Sequence, residues 1–597
     1  MSEQEFPVPE VPSERPRGSK LWILIILAIV VIGAGAYYAM ATMRAARWDA
    51  AQYIPQDVAA AVTVDLRMTS QKLEAREHIL DICKNAGLED PEGKLIESIN
   101  KGLKLDVEED VLKHLNRRAG LAVVAELNGF MPSVVAVLGA KNDGSAEKLM
   151  EVVAKKLAEN KIEFEERKYK DYKFLHLPDP TGSAKDANPA MPGMAVSLYV
   201  GAVKDSIVIT NGDSGFKKVV QTVEGEPSLG DDEHFAHLRQ TDDSTIAGTY
   251  WSGAKFFKMI EPFFSMAAMQ APEVAESYKR SLQAQIAAVG TISASGHGIK
   301  MVVKGVNAES SGTAVETDVE ELVSVAPKDA ALVVATGDLT KSWEVAKEEL
   351  KNDPSIRTQL DEMLGGVMTE LGVDLFEDIL FPIKTLGMYY TPGTALDPDV
   401  EFPGRVTLVS KIDNPNAFSA SVDKVKKALA AVPDVEIEDT QLGGQKTAVF
   451  AMGESKFSPD IDVQGGGVVG DPDSDVSTSE NQKIYLYETI IGDTLVLTMT
   501  GPDAENEAQA AVDMFKNKGA SVATTESFAY TKKHLPDKTQ VLMYWDTAAM
   551  TKLFESEMEE DDKKILNAIL DGSGTIACFG DYQEKEYEVT AVLPFKK

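Results

Sequence analysis

The feature that most restricts how this chain folds is that it repeats itself. YIPQDVAAAVTVDLRMTSQKLEA from Tyr53 and VAPKDAALVVATGDLTKSWEVAKEEL from Val325 share one order, an apolar extended stretch and then a helical pattern. Pro55 and Asp57 fall on Pro327 and Asp329, an offset of 272. LKLDVEEDVL from Leu103 aligns with LGVDLFEDIL from Leu371 at 268, placing Asp106 on Asp374 and Asp110 on Asp378. YVGAVKDSIVIT from Tyr199 aligns with YETIIGDTLVLT from Tyr487 at 288, Tyr250-Trp251 with Tyr544-Trp545 at 294, and Gly290-Thr291-Ile292 with Gly574-Thr575-Ile576 at 284. Collinear matches with slowly drifting offsets describe one unit present twice, with insertions between. The largest insertion, rich in Gly, Pro, Asp and Ser, runs from about Ser455 to Gln482. The first unit spans 50–306 and the second 322–597, separated by the small, polar, acidic NAESSGTAVETDVE.

Inside each unit, short β-rich runs cluster between helical patterns. GLAVVAEL and SVVAVLG read as strands. The stretch from Ser145 to Glu159 gathers Leu149, Val152, Val153 and Leu157 on one helical face. TISASG and IKMVVKG read as a hairpin turned through Gly296 to Gly298, where glycine permits a positive φ. The irregular order predicts an α+β fold, not a doubly wound parallel sheet.

A second constraint lies ahead of the repeats. From Leu21 to Met43 there are 23 residues without a charge, which at 1.5 Å per residue reach about 35 Å, enough for the roughly 30 Å hydrocarbon core of a bilayer. The run is longer than a secretory signal core, although Ala39-Met40-Ala41 resembles a cleavage site. A single-pass transmembrane helix is therefore expected over 21–43, preceded by a proline-rich disordered tail over 1–20. Arg15, Arg17 and Lys20 before the run outnumber Arg44 and Arg47 after it, which favours an inside N-terminus. Residues 50–597 are then expected outside the cytoplasm.

Composition narrows the partners. Sixty basic against 94 acidic side chains leave a formal charge of −34, which argues against nucleic acid, since phosphate binding needs clustered Lys and Arg. Two cysteines exclude a disulfide scaffold; Cys83 and Cys578, at non-equivalent places in the repeats, are expected to stay unpaired.

At the repeated segments the chain resembles a bacterial family known as domain of unknown function 3352. The resemblance lies in a membrane anchor, a Pro-x-Asp start (Pro55 and Asp57, then Pro327), and a Leu-x-x-Asp-x-x-x-Asp helix (Leu103, Asp106 and Asp110, then Leu371). It continues in a strand leading through a turn to an Ala- and Leu-rich helix (Val134 to Leu149, then Val406 onward). It extends over most of residues 50–597 and implies no activity, cofactor or catalytic residue.

Catalytic signatures fail on context. Gly465, Gly467 and Gly470 spell GxGxxG, but DPDSDVSTSEN follows where a dinucleotide site needs a helix. Asp471, Asp473 and Asp475 have calcium-loop spacing, yet Val476 and Gln482 replace its glycine and its bidentate glutamate. His234 and His237, beside Asp231, Asp232 and Glu233, lack a third metal ligand and read as a capped helix start. Asp106 with Asp110, and Asp374 with Asp378, read as first-turn caps, and the run Glu555 to Asp562 as a solvated face. No catalytic residue, cofactor or metal is assigned.

A membrane-anchored interaction or ligand-binding protein is the expectation, its partner an envelope protein or lipid. The alternative is an envelope hydrolase or other enzyme whose site assembles only in three dimensions. A candidate partner surface comes from comparing the repeats. Phe256, Met259 and Ile260 share a helical face and read as core. Phe257 corresponds to Thr551 and Phe263 to Glu557, so Phe257, Phe263 and Phe264 read as an exposed aromatic patch, against the plainer reading that they pack inward.

Overall fold

A computed structural model describes residues 49–85, 106–128, 131–178, 197–239, 241–268, 282–308, 319–340, 372–392, 404–430, 435–452, 484–500, 504–517, 521–533, 539–546, 576–583 and 585–595, with a few isolated residues between. The tail, the run 21–43, the GxGxxG and aspartate loop around 465–482 and the run 555–562 lie outside them. Among the described residues no helix is long and apolar enough to cross a membrane.

The described strands are β1 (Val58–Asp65), β2 (Leu115–Asn128), β3 (Met131–Ala140), β4 (Glu165–Tyr169), β5 (Tyr172–Leu177), β6 (Leu198–Val203), β7 (Ser206–Thr210), β8 (Thr245–Trp251), β9 (Gln285–Ser295) and β10 (Gly298–Asn307). They continue as β11 (Leu332–Thr336), β12 (Leu386–Pro392), β13 (Gly404–Lys411), β14 (Val435–Leu442), β15 (Gln445–Met452), β16 (Ile484–Ile491), β17 (Thr494–Thr500), β18 (Val541–Trp545), β19 (Ile576–Gln583) and β20 (Glu586–Pro594). Every described ladder is antiparallel, so the fold is mixed helix and antiparallel sheet, as the strand clustering predicts.

The chain forms two compact units. In the first, the strands pair in the order β4-β5-β6-β7-β3-β2-β1-β8. In the second, the order β14-β15-β16-β17-β13-β12-β11-β18 recurs and runs on through β19-β20-β10-β9. Register recurs as well as order. Tyr250 stands opposite Ala61 as Tyr544 stands opposite Val333, and Tyr199 opposite Thr210 as Tyr487 opposite Thr498.

The compact units do not follow the repeat boundary read from sequence, because the β9–β10 hairpin and the helix Ser70–Asn85 belong to the second unit. The reason is a strand pairing: β10 bonds along its length to β20. The two hairpins turn at Ser295/Gly298 and Gln583/Glu586, an offset of 288, and Val302 faces Thr590, its own counterpart at that offset. They therefore pair about a local twofold. The expected glycine turn is present, with Gly298 at φ +143°, where a Cβ would meet the Leu593 carbonyl oxygen at 2.3 Å.

Cores form where alternating side chains of the sheets meet helices. In the first unit Asn142 caps the helix Asp143–Glu159, accepting from the Ser145 amide at 2.9 Å. Its Ala146, Leu149 and Leu157 pack with Leu138, Val200 and Ile207. In the second unit Tyr389, Val409, Val496, Leu542, Tyr544 and Phe579 form the centre, and the Tyr389 hydroxyl donates to the Leu322 carbonyl at 2.7 Å.

The paired aspartates prove to be caps, on segments shorter than the helix the resemblance implies. Each heads a single wide turn, Val107–Val111 and Leu375–Leu380. Asp106 accepts from the Glu109 amide at 3.1 Å while its own amide donates to Asp110 at 3.2 Å. Asp374 accepts from Phe376 and Glu377, and its amide donates to Asp378 at 2.9 Å. With one oxygen of each carboxylate on a turn amide, these aspartates are joints of the backbone.

Candidate binding face

The acidic and histidine segment before β8 resolves into capping. Asp231 accepts from both the amide and the hydroxyl of Ser228, at 2.9 and 2.7 Å, and these bonds hold its carboxyl below the usual carboxylate range. Asp232 caps the short helix Glu233–Leu238 through the Phe235 amide. No group of acids, histidines and cysteines placed to hold a metal occurs among the described residues.

Asp232 does one further thing. Lys255, on the helix Gly253–Ala268, reaches its carboxylate at 3.1 Å, the Tyr250 hydroxyl at 3.0 Å and the Gln56 carbonyl at 2.8 Å. Burial alone would lower the Lys255 ammonium, but the tyrosine and aspartate outweigh it and hold it above its ordinary value; burial pushes the Tyr250 phenol up. The second unit keeps the scaffold without the charges. Thr525 caps Phe528 at 3.2 Å as Asp232 caps Phe235, and Phe528 meets Tyr544 edge-on at 5.6 Å as Phe235 meets Tyr250 at 5.9 Å. At the place of Lys255 stands Ala549. Cation and anion are absent together. A lysine whose donors are all used in holding elements together is a strut.

Phe257, read from sequence as part of an exposed aromatic patch, is buried. It is 5 % exposed, on the helix lying over β1 and β2, with Phe264 edge-on at 5.5 Å. Phe264 is half-buried, and the Phe263 side chain lies outside those described. Phe256, expected in the core, is only half-buried and rests on Trp251 at 4.7 Å. The helix is apolar over most of its girth, so its packing on β1 and β2, not its strongest stripe, decides which side turns inward.

Two clefts open in the second unit. One of about 300 Å³ is walled by hydroxyls of Ser244, Thr245, Thr291 and Ser293, with Lys300 at its edge. Asp242 is spent within it on Ser244 and Thr245, whose hydrogen bonds hold its carboxyl low. The other, about 360 Å³, lies between Trp343, Phe381 and Phe418, where Lys347 sits over the Phe381 ring at 4.3 Å and pairs with Glu377 at 3.4 Å. In the first cleft the Ser244 hydroxyl donates to Asp242 at 2.5 Å, a bond between residues two apart that closes the turn ahead of β8.

Among the described residues, one face of the second unit's sheet carries a row of apolar side chains partly open to solvent. Along β18, Leu542 and Tyr544 point into the core at 0 and 1 % exposure, while Met543 and Trp545 point the other way at 38 % each. That outward row continues through hydrogen-bonded neighbours: Met301, Ala591, Cys578, Met543, Val334 and Met388 stand side by side on β10, β20, β19, β18, β11 and β12. None is buried, and Met301 is 39 % exposed. The rows on either side are uncharged too, from Val303 to Leu386 on one flank and from Ile299 to Tyr390 on the other. Helices cover the ends of this face. Ser70–Asn85 packs at β9, where His78 stacks on Phe595 at 5.3 Å, and Pro415–Leu429 sets Phe418 against Leu495 of β17. Between them, among the described residues, no helix covers the six strands.

Sequence comparison bears on the whole of this architecture. A family described as proteins of unknown function (DUF3352) matches residues 21–571. The chain belongs to that family. No curated protein and no solved structure matches it. The open face of this DUF3352 chain was absent from the sequence reading, because each outward residue is an ordinary strand residue by itself. The available signal was alternation in which both phases are apolar, as in VLMYW of β18 and LVVAT of β11.

Proposed function

We propose that this DUF3352 chain is a membrane-anchored binding protein built from a duplicated α+β unit. Residues 21–43 cross a bacterial envelope membrane, 50–597 lie outside the cytoplasm, and the partner is received on the outward face of β10, β20, β19, β18, β11 and β12. One observation carries the reading: a chain with formal charge −34 leaves a six-strand face without a charge and partly open to solvent. Contiguous apolar surface left open to solvent marks interaction sites. Duplication is supported by the recurring strand order, register and caps, and binding over catalysis by acids spent on turn amides and a lysine spent as a strut. The anchor rests on the length of the uncharged run.

The test uses Cys578, in the middle of the face, in the full chain carrying Cys83→Ser. Maleimide labelling in native membranes is expected to be several-fold slower than in the same protein purified into nanodiscs, where the partner is diluted away. Equal rates in both would overturn the proposal.

A further inference from the structure

We infer that the open face is a seat for a cationic amphipathic helix of a partner protein; this rests on the binding face proposed above and names its occupant. The dimensions come first. At a strand spacing of about 4.8 Å, six strands make a floor about 29 Å wide. Helices with their side chains are about 10–12 Å across, so one or two fit between the flanking helices Ser70–Asn85 and Pro415–Leu429. A helix laid there continues the layer those two already form on this side of the sheet.

The same geometry disfavours the face of a second copy. Sheets pack face to face at about 10 Å, and flanking helices standing one helix diameter above the floor hold a second, equally flanked sheet farther away than that. Charge points the same way. Two chains of −34 repel, as does an anionic bilayer, whereas a helix with Lys and Arg on its outer face is drawn toward the chain as its apolar face is buried. The chemistry of the floor suits such a guest. Met301, Met543 and Met388 are unbranched and adapt their shape to the side chains laid on them, and Trp545 supplies a rigid anchor beside them.

The probe is an 18-residue peptide of Leu and Lys with its leucines on one helical face, compared with a Leu and Glu peptide of the same pattern. The full chain, carrying Cys83→Ser in zwitterionic nanodiscs, is labelled at Cys578 with maleimide. The Leu/Lys peptide is expected to slow labelling at least about tenfold, and the Leu/Glu peptide to leave it unchanged. Met543→Glu separates seating from general attraction. It adds a negative charge, so non-specific binding of a cationic peptide would strengthen, while a carboxylate beneath an apolar helix face abolishes seating. Loss of protection in Met543→Glu, and likewise in Met301→Glu should the first variant fold poorly, supports the inference. Equal protection by both peptides, protection by neither, protection that grows with chain concentration alone, or protection by anionic vesicles alone would each overturn it. If Cys578 is shielded in native membranes but not by the Leu/Lys peptide, the occupant is wrong and the binding face stands. If it is shielded in neither, both fail.

Discussion

Exchanging the Lys255 strut for its counterpart in the second unit tests whether the two halves are alternative solutions of one scaffold. The substitutions are Asp232→Thr and Lys255→Ala, singly and together, each installing the residue found at the matching place, Thr525 or Ala549. Asp232→Thr keeps a capping oxygen, as Thr525 caps Phe528, so the cap itself changes by only a few tenths of a kcal/mol. What it removes is the anion beside a partly buried ammonium. Lys255→Ala leaves the Asp232 carboxylate, whose side chain is 9 % exposed, without its cation. Breaking a buried pair from one side costs about 3–5 kcal/mol; with the lysine side chain 29 % exposed, about 2–3 kcal/mol for each single change is the appropriate share.

Removing both partners leaves no unpaired charge. The double variant should lose about 1–2 kcal/mol, well short of the sum, giving a coupling of about 2–3 kcal/mol. Urea unfolding of the four proteins, followed by hydrogen exchange in β8 and the helix Gly253–Ala268, measures this directly. Coupling below about 0.5 kcal/mol, the scatter expected of independent sites, would refute the strut. The pH dependence supplies a second check. Lys255 and Tyr250 are both raised in the fold, so the stability they contribute is fully present below their unfolded values and is lost as pH rises through their folded ones. Wild type should weaken in alkali more steeply than the double variant.

Phe257→Thr should destabilise the first unit by about 3–5 kcal/mol, seen as faster exchange in β1 and β2, because it empties a packed aromatic site; a loss under about 1 kcal/mol would return Phe257 to the surface. Asp242 is held low by Ser244 and Thr245, so its contribution is present above the ordinary aspartate value and disappears as pH falls through the folded one. Asp242→Asn should therefore flatten the acid limb of a pH–stability curve, and an unchanged limb would count against that role. Cys83 and Cys578 should both alkylate in denaturant without reductant, and Cys578 should need higher pH in the folded chain than in denaturant because burial pushes its thiol up. A reporter active only outside the cytoplasm should work when fused after Lys597; activity only of a cytoplasmic reporter there would invert the proposed topology.

Much of the scaffold was legible because its signals are local or repeated. The hairpin at Gly296 to Gly298 needed only a glycine between two β runs, and Asp106 with Asp110 read as a cap because the same spacing stood at Asp374 and Asp378. Recurrence of the pattern helped in a way single motifs do not: a charge pair found at two places in the chain is explained more simply by a backbone joint than by two sites. The pairing of β10 with β20 was illegible. It joins strands 288 residues apart, and nothing in IKMVVKG distinguishes an edge bound to its own sister from one exposed to solvent.

The burial of Phe257, the plainer of its two readings, and the missed face have one physical cause. Comparing the repeats identifies positions where one half carries more apolar surface than the other, but excess apolarity on a helix has two outlets, the core and the solvent. The helix Gly253–Ala268 carries a phenylalanine on either side of its axis, and its packing on β1 and β2 buries Phe257 while Phe256 is left at the margin. A strand has no such freedom. Its alternate residues are fixed to opposite faces by the pleat, so once Leu542 and Tyr544 enter the core, Met543 and Trp545 must face outward whatever their polarity. Apolar residues held outward by a pleat, across six bonded strands, can lower their exposure only by acquiring a cover. That makes Met301, Met543 and Met388 stronger markers of a partner than an aromatic-rich helix, and it is why the experiments centre on Cys578 among them.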